Sequence, residues 1–410
     1  MSRRWLEQEG AAWTKQGIIT DEQYRRILEL YPEQKRAAGL IPILGSILVG
    51  LGILSFVAAN WQDIPQLVRL VLMMLIMTGL YASGWLLDKK EHDKLGIALI
   101  SLGLISFGAS IVLIGQMFHL VAYNAASFTI WSVAGLFTAF LFRSRYLYIL
   151  SLLICTLTQW YSSTEFHTFS YAVLVITIAG FGAYWWQRKD ALLGWCLAGS
   201  FVLQALLAII GNDWAFTWFF IPVWLLYAAA DLPGDRKTFY PFQAVALIAA
   251  FIFNWFLVLF WENDYSSFRE DAAARPLPYI ILLAILLLLS LGGKWQNSRL
   301  ASSPDWILAI PFFYLANGTG LLTLLSLFIF SLYLLWNGYL EEWRLKINLG
   351  TLLFLISTMT AYGKLAWDFM DKSLFFILGG ILLLVLGWFL NRRRQQVLSG
   401  IREDEHHDPN

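Results

Sequence analysis

Charged side chains are scarce in this sequence. Only 14% of the 410 residues are Asp, Glu, Lys or Arg, whereas 58% are hydrophobic. Soluble domains carry about 25% charged and about 45–50% apolar residues. The shortage therefore excludes an ordinary soluble domain and indicates a polytopic membrane protein. The formal net charge of +1 supplies no basic surface for nucleic acid, so we expect no nucleic-acid partner.

Cysteines and catalytic motifs are also few. The two cysteines, Cys155 and Cys196, each lie inside an apolar run without CxxC spacing, so we interpret them as small buried hydrophobic residues. The sequence contains no G-x-x-x-x-G-K-[ST], H-E-x-x-H or G-x-S-x-G motif. We therefore predict no catalytic residue, no metal site and no cofactor.

Long apolar runs dominate what is present. Fourteen are long enough, or nearly so, to cross about 30 Å of hydrocarbon, and because several are short, a count of twelve to fourteen spans stays open. The sequence predicts an all-α fold, a polytopic transmembrane helical bundle. The candidate spans are 39–59, 68–87, 95–118, 126–142, 145–160, 169–186, 191–211, 214–230, 239–261, 277–292, 304–317, 319–337, 347–363 and 373–391.

Basic residues alternate between successive connections of these spans. All but five of the 29 Lys and Arg residues fall in residues 1–38 and every second connection thereafter, including the tail at 392–410. The positive-inside rule then places both termini in the cytoplasm of a bacterial inner-membrane protein. The five exceptions are Arg69, Arg269, Arg275, Lys364 and Lys372.

The polar segment 1–38 predicts a short cytoplasmic helical hairpin rather than a cleaved signal peptide. Thr20 and Gln23 have the spacing of a capping box, and Ile19 and Tyr24 that of a hydrophobic staple. Pro32 is expected to end this helix. The hairpin is either a small folded cap or a docking site for a protein partner or second copy. We divide the chain into this hairpin, a transmembrane domain at 39–391 and a charged cytoplasmic tail at 392–410.

Several polar residues are expected at the outer ends of the first and third spans. Gln116 and His119 are three residues apart, which on a continuous helix puts them on one face. Together with an Asn-Trp pair after the first span, they suggest an outward-facing polar and aromatic pocket. The candidate ligand-binding residues are Asn60, Trp61, Asp63, Gln116, His119 and Asn124.

Each of these residues also has a structural interpretation. Trp61 is a natural interfacial anchor, Gln116 a donor to a neighbouring helix, and Asn60 a helix C-cap. His119 has a structural role at the interface, and Asp63 is a solvated loop charge. No Asp, Glu, Lys or Arg lies in the central part of any candidate span, which disfavours a proton-driven carrier.

Three stretches carry a family resemblance. "KQGIITDEQ" (15–23), "GLGILSFVAANWQDIPQLVRL" (50–70) and "GASIVLIGQMFHL" (108–120) resemble the bacterial membrane family known as domain of unknown function 2157. The resemblance covers about residues 5–142, with a weaker one at 347–395. It implies a polytopic inner-membrane protein without an assigned reaction, and its most specific features fall on Asn60, Trp61, Gln116 and His119.

The sequence favours an integral membrane protein that binds, transports or flips a small or lipid-linked ligand. One alternative is a non-catalytic scaffold for assembling cell-envelope proteins. A second is a membrane enzyme acting on a lipid-linked substrate, with Asp63 or His119 as acid or base. The lipid bilayer is the one partner that all three interpretations share.

Overall fold

The computed structural model of the protein describes residues 64–89, 93–260, 276–298, 300–315, 318–341 and 343–366. It also describes 19–30 and scattered positions in 10–17, 44–55 and 373–388. Asn60, Trp61 and Asp63 lie outside the described residues, as do most of the first and last candidate spans and the tail at 392–410. The described part is helical, without a strand, which confirms the all-α prediction.

The chain forms two compact units, Met1–Val121 and Ala122–Asn410, which we call unit 1 and unit 2. Unit 1 contains helices α1 (Asp21–Leu30), α2 (Gln66–Asp88) and α3 (Asp93–Met117). Helices α2 and α3 form a hairpin whose backbones approach closely at Gly84 and Gly96. A Cβ on Gly96 would lie 2.7 Å from the backbone nitrogen of Asp88, so only glycine fits there without displacement.

The predicted capping box is present at the start of α1. The Thr20 backbone N–H donates to Gln23 Oε1 at 3.0 Å, and the Gln23 N–H donates to Thr20 Oγ1 at 3.3 Å. These reciprocal bonds satisfy two N–H groups that the first helical turn leaves free. The helical hairpin as a whole stays a prediction.

Unit 2 contains nine further helices among its described residues. Helix α6 is interrupted by a π-helical turn: Tyr171–Val175 is α-helical, Ile176–Phe181 is π-helical, and Gly182–Arg188 is α-helical again. A 3₁₀ turn, Phe216–Phe219, leads into α8. The helices are α4 (Ala126–Phe142), α5 (Arg145–Glu165), α6, α7 (Ala191–Gly211), α8 (Phe220–Asp231), α9 (Arg236–Phe260), α10 (Pro276–Gln296), α11 (Thr319–Leu340) and α12 (Arg344–Ala366).

Seven of the described helices are long and apolar enough to cross a membrane: α2, α3, α7, α9, α10, α11 and α12. Helix α4 and the segment Phe216–Asp231 are apolar but shorter. A polytopic helical membrane protein is therefore the architecture, and such a chain sits in a lipid bilayer. The full count of twelve to fourteen spans stays a prediction.

The candidate span 304–317 is not a continuous helix. Leu300–Ala309 is 3₁₀-helical, and a second 3₁₀ turn, Phe312–Tyr314, follows after a break. Pro304 and Pro311 explain this, since proline lacks the N–H that an α-helix needs. We call Leu300–Tyr314 the broken segment. Irregular backbone is tolerated at membrane depth only where protein or a polar cavity surrounds it, and Leu308, Ala309 and Phe313 are buried.

Alternate connections of unit 2 meet at opposite ends of its helices. At one end, Arg145 pairs with Asp190, Arg236 with Glu341, and Trp185 packs on Phe239. We call this the basic end. The connections that follow α5, α7 and the broken segment lie at the far end. The connections at the basic end are those that the alternation of Lys and Arg assigns to one side of the membrane. Which side that is stays a prediction.

Candidate functional site

The structure places Gln116 and His119 at the end of α3. The helix ends at Met117, and His119 has a left-handed backbone with φ of 52°. The His119 N–H donates to the Gln116 carbonyl and the Leu120 N–H to the Gly115 carbonyl, the pattern of a Schellman cap. The expectation that the two side chains share a helical face is wrong, because the chain leaves the helix between them.

Gln116 and His119 are both exposed. Asn124 lies in unit 2, where its Oδ1 accepts the Ala126 backbone N–H at 3.0 Å, a local turn contact. The ligand pocket expected from these three residues with Asn60, Trp61 and Asp63 stays a prediction.

A large apolar cavity lies elsewhere, between α6, α7 and α8 near the far end of unit 2. Its volume is about 760 Å³, within the range of about 300–1,000 Å³ for small-molecule sites. We call it the far cavity. Its apolar walls include Phe201, Ala208 and Ile221, and its polar rim is formed by Asn212, Asp213 and Trp214.

Gln204 supplies a buried amide to this apolar wall. Its Nε2 donates to Thr177 Oγ1 at 2.7 Å and to Ser200 Oγ at 3.3 Å. Thr177 lies in the π-helical turn of α6 and donates in turn to the Val173 carbonyl at 3.0 Å. Gln204 Oε1 is buried and has no hydrogen-bond partner among the described residues. Leaving such an acceptor unmatched costs about 1–3 kcal/mol.

A second apolar cavity of about 480 Å³ continues toward the basic end. It shares Phe201 and Leu225 with the far cavity and extends to Trp185 and Phe242. We call the two together the groove. It follows α6, α7 and α8 over most of their length, and the π-helical turn, a feature frequent at functional sites, lies beside it.

The groove has apolar walls that the protein leaves uncovered. Tyr171, Trp214 and Leu225 line it and are 60%, 51% and 48% exposed. On a membrane-embedded helix bundle such apolar surface faces lipid. The groove is therefore accessible from the bilayer as well as from its polar rim.

Sequence reasoning identified neither the groove nor its buried amide. Asn212 and Asp213 are polar residues at an expected outer helix end, and Asp213 caps α7 with a left-handed φ of 51°. Gln204 had a signal that could have been used, since it is the only amide in the apolar helix Ala191–Gly211. Its partner Thr177 could not be identified without knowing how α6 and α7 pack.

A cluster of ionisable side chains is buried near the basic end. Lys294, on α10, is fully buried, and Asp231, at the end of α8, is 1% exposed; their side chains approach to 3.8 Å. Lys294 Nζ also donates to Tyr227 Oη at 3.0 Å and to the Ser302 carbonyl at 2.8 Å. Tyr227 in turn donates to Asp305 of the broken segment.

This cluster changes the inference drawn from charge positions. These residues lie at or near the ends of candidate spans, outside the span centres to which that inference applied, and all are buried by neighbouring helices. The Asp231 carboxylate also accepts hydrogen bonds from Gln243 Nε2 at 2.6 Å and from Ser290 Oγ at 2.5 Å. Ionisable side chains enclosed in a membrane bundle are frequently functional. The lack of charged residues at the centres of the candidate spans therefore does not disfavour ion-coupled chemistry.

An ion-pair network covers the same end of the unit. Arg236 donates to both oxygens of Glu341, at 2.9 and 2.8 Å, and Lys346 Nζ donates to Glu341 at 2.8 Å. Partial burial alone would raise the pKa of Glu341, but the hydrogen bonds and charges of Lys346 and Arg236 lower it below its ordinary value. At neutral pH Glu341 is therefore an anion that joins α9, α11 and α12.

Comparison with known proteins identifies one family. The family model described as "predicted membrane protein (DUF2157)" matches residues 11–148, about a third of the chain. The match confirms the resemblance of the first part of the sequence, while residues 347–395 lie outside it. No curated protein and no solved structure matches the chain. None of the described residues form a group of three His, Cys, Asp or Glu placed to hold a metal ion.

Proposed function

We propose that the protein binds a membrane lipid or lipid-linked molecule in the groove, with one hydrocarbon chain along α6, α7 and α8. The observation that carries this proposal is the groove itself, two adjoining apolar cavities of about 760 and 480 Å³ whose walls the protein leaves uncovered. A hydrocarbon chain is the kind of ligand that such apolar walls suit.

The length of the groove and the position of its polar rim support an amphiphile rather than a water-soluble ligand. From Asn212 and Asp213 the groove extends past Phe201, which lies ten residues before the end of α7 at Gly211, about 15 Å along the helix axis. A hydrocarbon chain in the groove would thus lie below the membrane surface, with the more polar part of the ligand beside Asn212 and Asp213 at the rim.

The orientation follows from the predicted topology. With the basic end in the cytoplasm of a bacterial inner membrane, the rim of the groove opens to the outside. Binding, transport and flipping of a lipid-linked molecule all begin with this complex, so lipid binding is the step to test first.

The test is native mass spectrometry of the full-length protein purified from its membrane in mild detergent. We expect the wild-type protein to retain lipid. Ala208→Trp places a large side chain in the far cavity and should abolish retention.

Leu203→Trp is the matched control, because Leu203 neighbours Gln204 on α7 but is 52% exposed and does not line either cavity. It introduces the same bulk and should leave lipid retention unchanged. Equal retention by the wild type and the Ala208→Trp variant would refute the proposal, as would lipid-free wild-type protein.

A further inference from the structure

The buried cluster contains a continuous hydrogen-bond chain between two groups that both exchange protons. Lys294 Nζ donates to Tyr227 Oη, and the same hydroxyl donates to Asp305 Oδ2. Tyr227 is itself 1% exposed. A phenol that accepts from an ammonium and donates to a carboxylate is correctly placed to relay a proton between them.

The broken segment makes this arrangement unlike an ordinary structural ion pair. Asp305 lies on 3₁₀ backbone between Pro304 and Pro311, and not on one of the long helices. Trp306, its neighbour, donates from Nε1 to Ser290 Oγ at 2.9 Å, and Ser290 donates to Asp231. The segment is thus joined to Asp231 through the side chains of Trp306 and Ser290, and to Lys294 through Tyr227 and the Ser302 carbonyl.

We propose that Lys294, Tyr227 and Asp305 form a proton-exchange site, in which the Asp305 carboxyl takes up and releases a proton at the basic end of unit 2. The ligand of this site is the proton itself. The site is separate from the groove and does not depend on lipid binding.

The transfer within the site conserves atoms and charge. The proton on Lys294 Nζ passes to Tyr227 Oη as the phenolic proton passes to Asp305 Oδ2. The products are a neutral amine and a neutral carboxylic acid, and the tyrosine is unchanged. A neutral pair avoids the desolvation cost of two buried charges, which lowers the energy of the neutral form relative to the ionised form. Uptake of a further proton from water restores the ammonium.

A small cavity adjoins Asp305, and Arg236 and Lys346 of the ion-pair network also line it. Its volume is about 40 Å³, enough for a water molecule, which needs about 10–15 Å³ of such space. Asp305, Ser302 and Asn337 are among its lining residues. The titratable or charged groups that face the site are Tyr227 and Asp231 from α8, Arg236 and Tyr240 from α9, Lys294 from α10, Tyr333 from α11, Glu341 after α11, and Lys346 from α12.

The three cations and three carboxylates around this site are equal in number, and their positions determine the direction in which the titration of Asp305 shifts. Lys294 and the pair of Arg236 and Lys346 favour the carboxylate form of Asp305, whereas Asp231 and Glu341 oppose it. Without Lys294, Asp305 should therefore become protonated at a higher pH than in the wild-type protein.

Infrared difference spectroscopy of the full-length protein in lipid tests the proposal. We expect a carboxylic acid C=O band that grows as the pH is lowered to about 6, a range in which exposed carboxylates stay ionised, and that Asp305→Asn abolishes. Lys294→Gln should move the midpoint of this band up by about one pH unit or more, the effect of losing a nearby opposite charge. Tyr227→Phe, which removes only a hydroxyl, should also move it upward.

Glu165→Gln is the control, because Glu165 is an exposed carboxylate at the far end of α5; it should leave the band unchanged. Absence of this band above about pH 6 in the wild type overturns the proposal. So does a band in that range that survives Asp305→Asn, including one that Asp231→Asn removes, since the proton then resides on the other carboxyl. If Asp305→Asn does not fold, an unshifted midpoint in Tyr227→Phe overturns it equally.

Discussion

Replacing Lys294 with methionine should destabilise the protein more than any surface substitution. Methionine keeps most of the side-chain volume but removes the ammonium, its hydrogen bonds to Tyr227 and Ser302, and its attraction to Asp231 at 3.8 Å. Two carboxylates, Asp231 and Asp305, are then buried without the cation between them. Removing one partner of a buried pair costs about 3–5 kcal/mol, and we expect a loss of unfolding free energy in that range.

A double-mutant cycle separates the ion pair from the effect of packing. Asp231→Asn keeps hydrogen-bonding atoms toward Gln243 and Ser290 while removing the charge. Combined with Lys294→Met, it should recover about 1–3 kcal/mol relative to the sum of the single losses. The measurement is denaturant unfolding of the purified protein in detergent, followed by tryptophan fluorescence. Additive losses, or a loss below about 1 kcal/mol for Lys294→Met, would refute this reasoning.

Three further predictions concern other parts of the chain. The pKa of Glu341 is lowered in the folded protein, so ionised Glu341 stabilises the fold above pH 4.5, its ordinary pKa, and this stabilisation is lost as the pH falls below that value. Acid unfolding curves of Glu341→Gln should lack this contribution. Curves identical to those of the wild type would contradict the prediction. Gly96→Ala should lower the free energy of unfolding by about 1–3 kcal/mol, because the added Cβ would lie 2.7 Å from the backbone of Asp88. Gly79→Ala, which has open space around it, should instead stabilise α2 by about 0.5–1 kcal/mol. Equal melting temperatures of the two variants would refute this difference. His119→Gly should raise stability by up to about 1 kcal/mol, since glycine suits the left-handed cap, and a lower melting temperature would assign His119 a side-chain contact.

Helices with strong local signals could be predicted from the sequence. The apolar runs that became α2, α3, α7 and α9 differ from their observed bounds by a few residues, because hydrophobic length alone determines a spanning helix. The capping box of Thr20 and Gln23 was predictable for a similar reason, since both of its hydrogen bonds are local.

Features that depend on packing between helices could not be predicted. The pairing of Asp231 with Lys294 joins residues 63 positions apart, and a charge near a helix end looks solvated until its neighbours are known. Pro304 and Pro311 did signal that 304–317 would not be a regular span, yet its apolar composition outweighed them. His119 could not be excluded from the helical face because the sequence shows no glycine at the cap.

The π-helical turn of α6 has a consequence for how the helix can evolve. A π-helical turn closes its hydrogen bonds between residues i and i+5, one residue more than an α-helical turn. Deleting one residue from Ile176–Phe181 would therefore let α6 close as regular α-helix, and Trp185, which is 3% exposed and donates to the Asp190 carbonyl at 3.0 Å, would keep its side of the helix. The same deletion in a regular part of α6 would rotate the following residues by about 100°. A single-residue deletion should accordingly be tolerated better in this turn than elsewhere in α6.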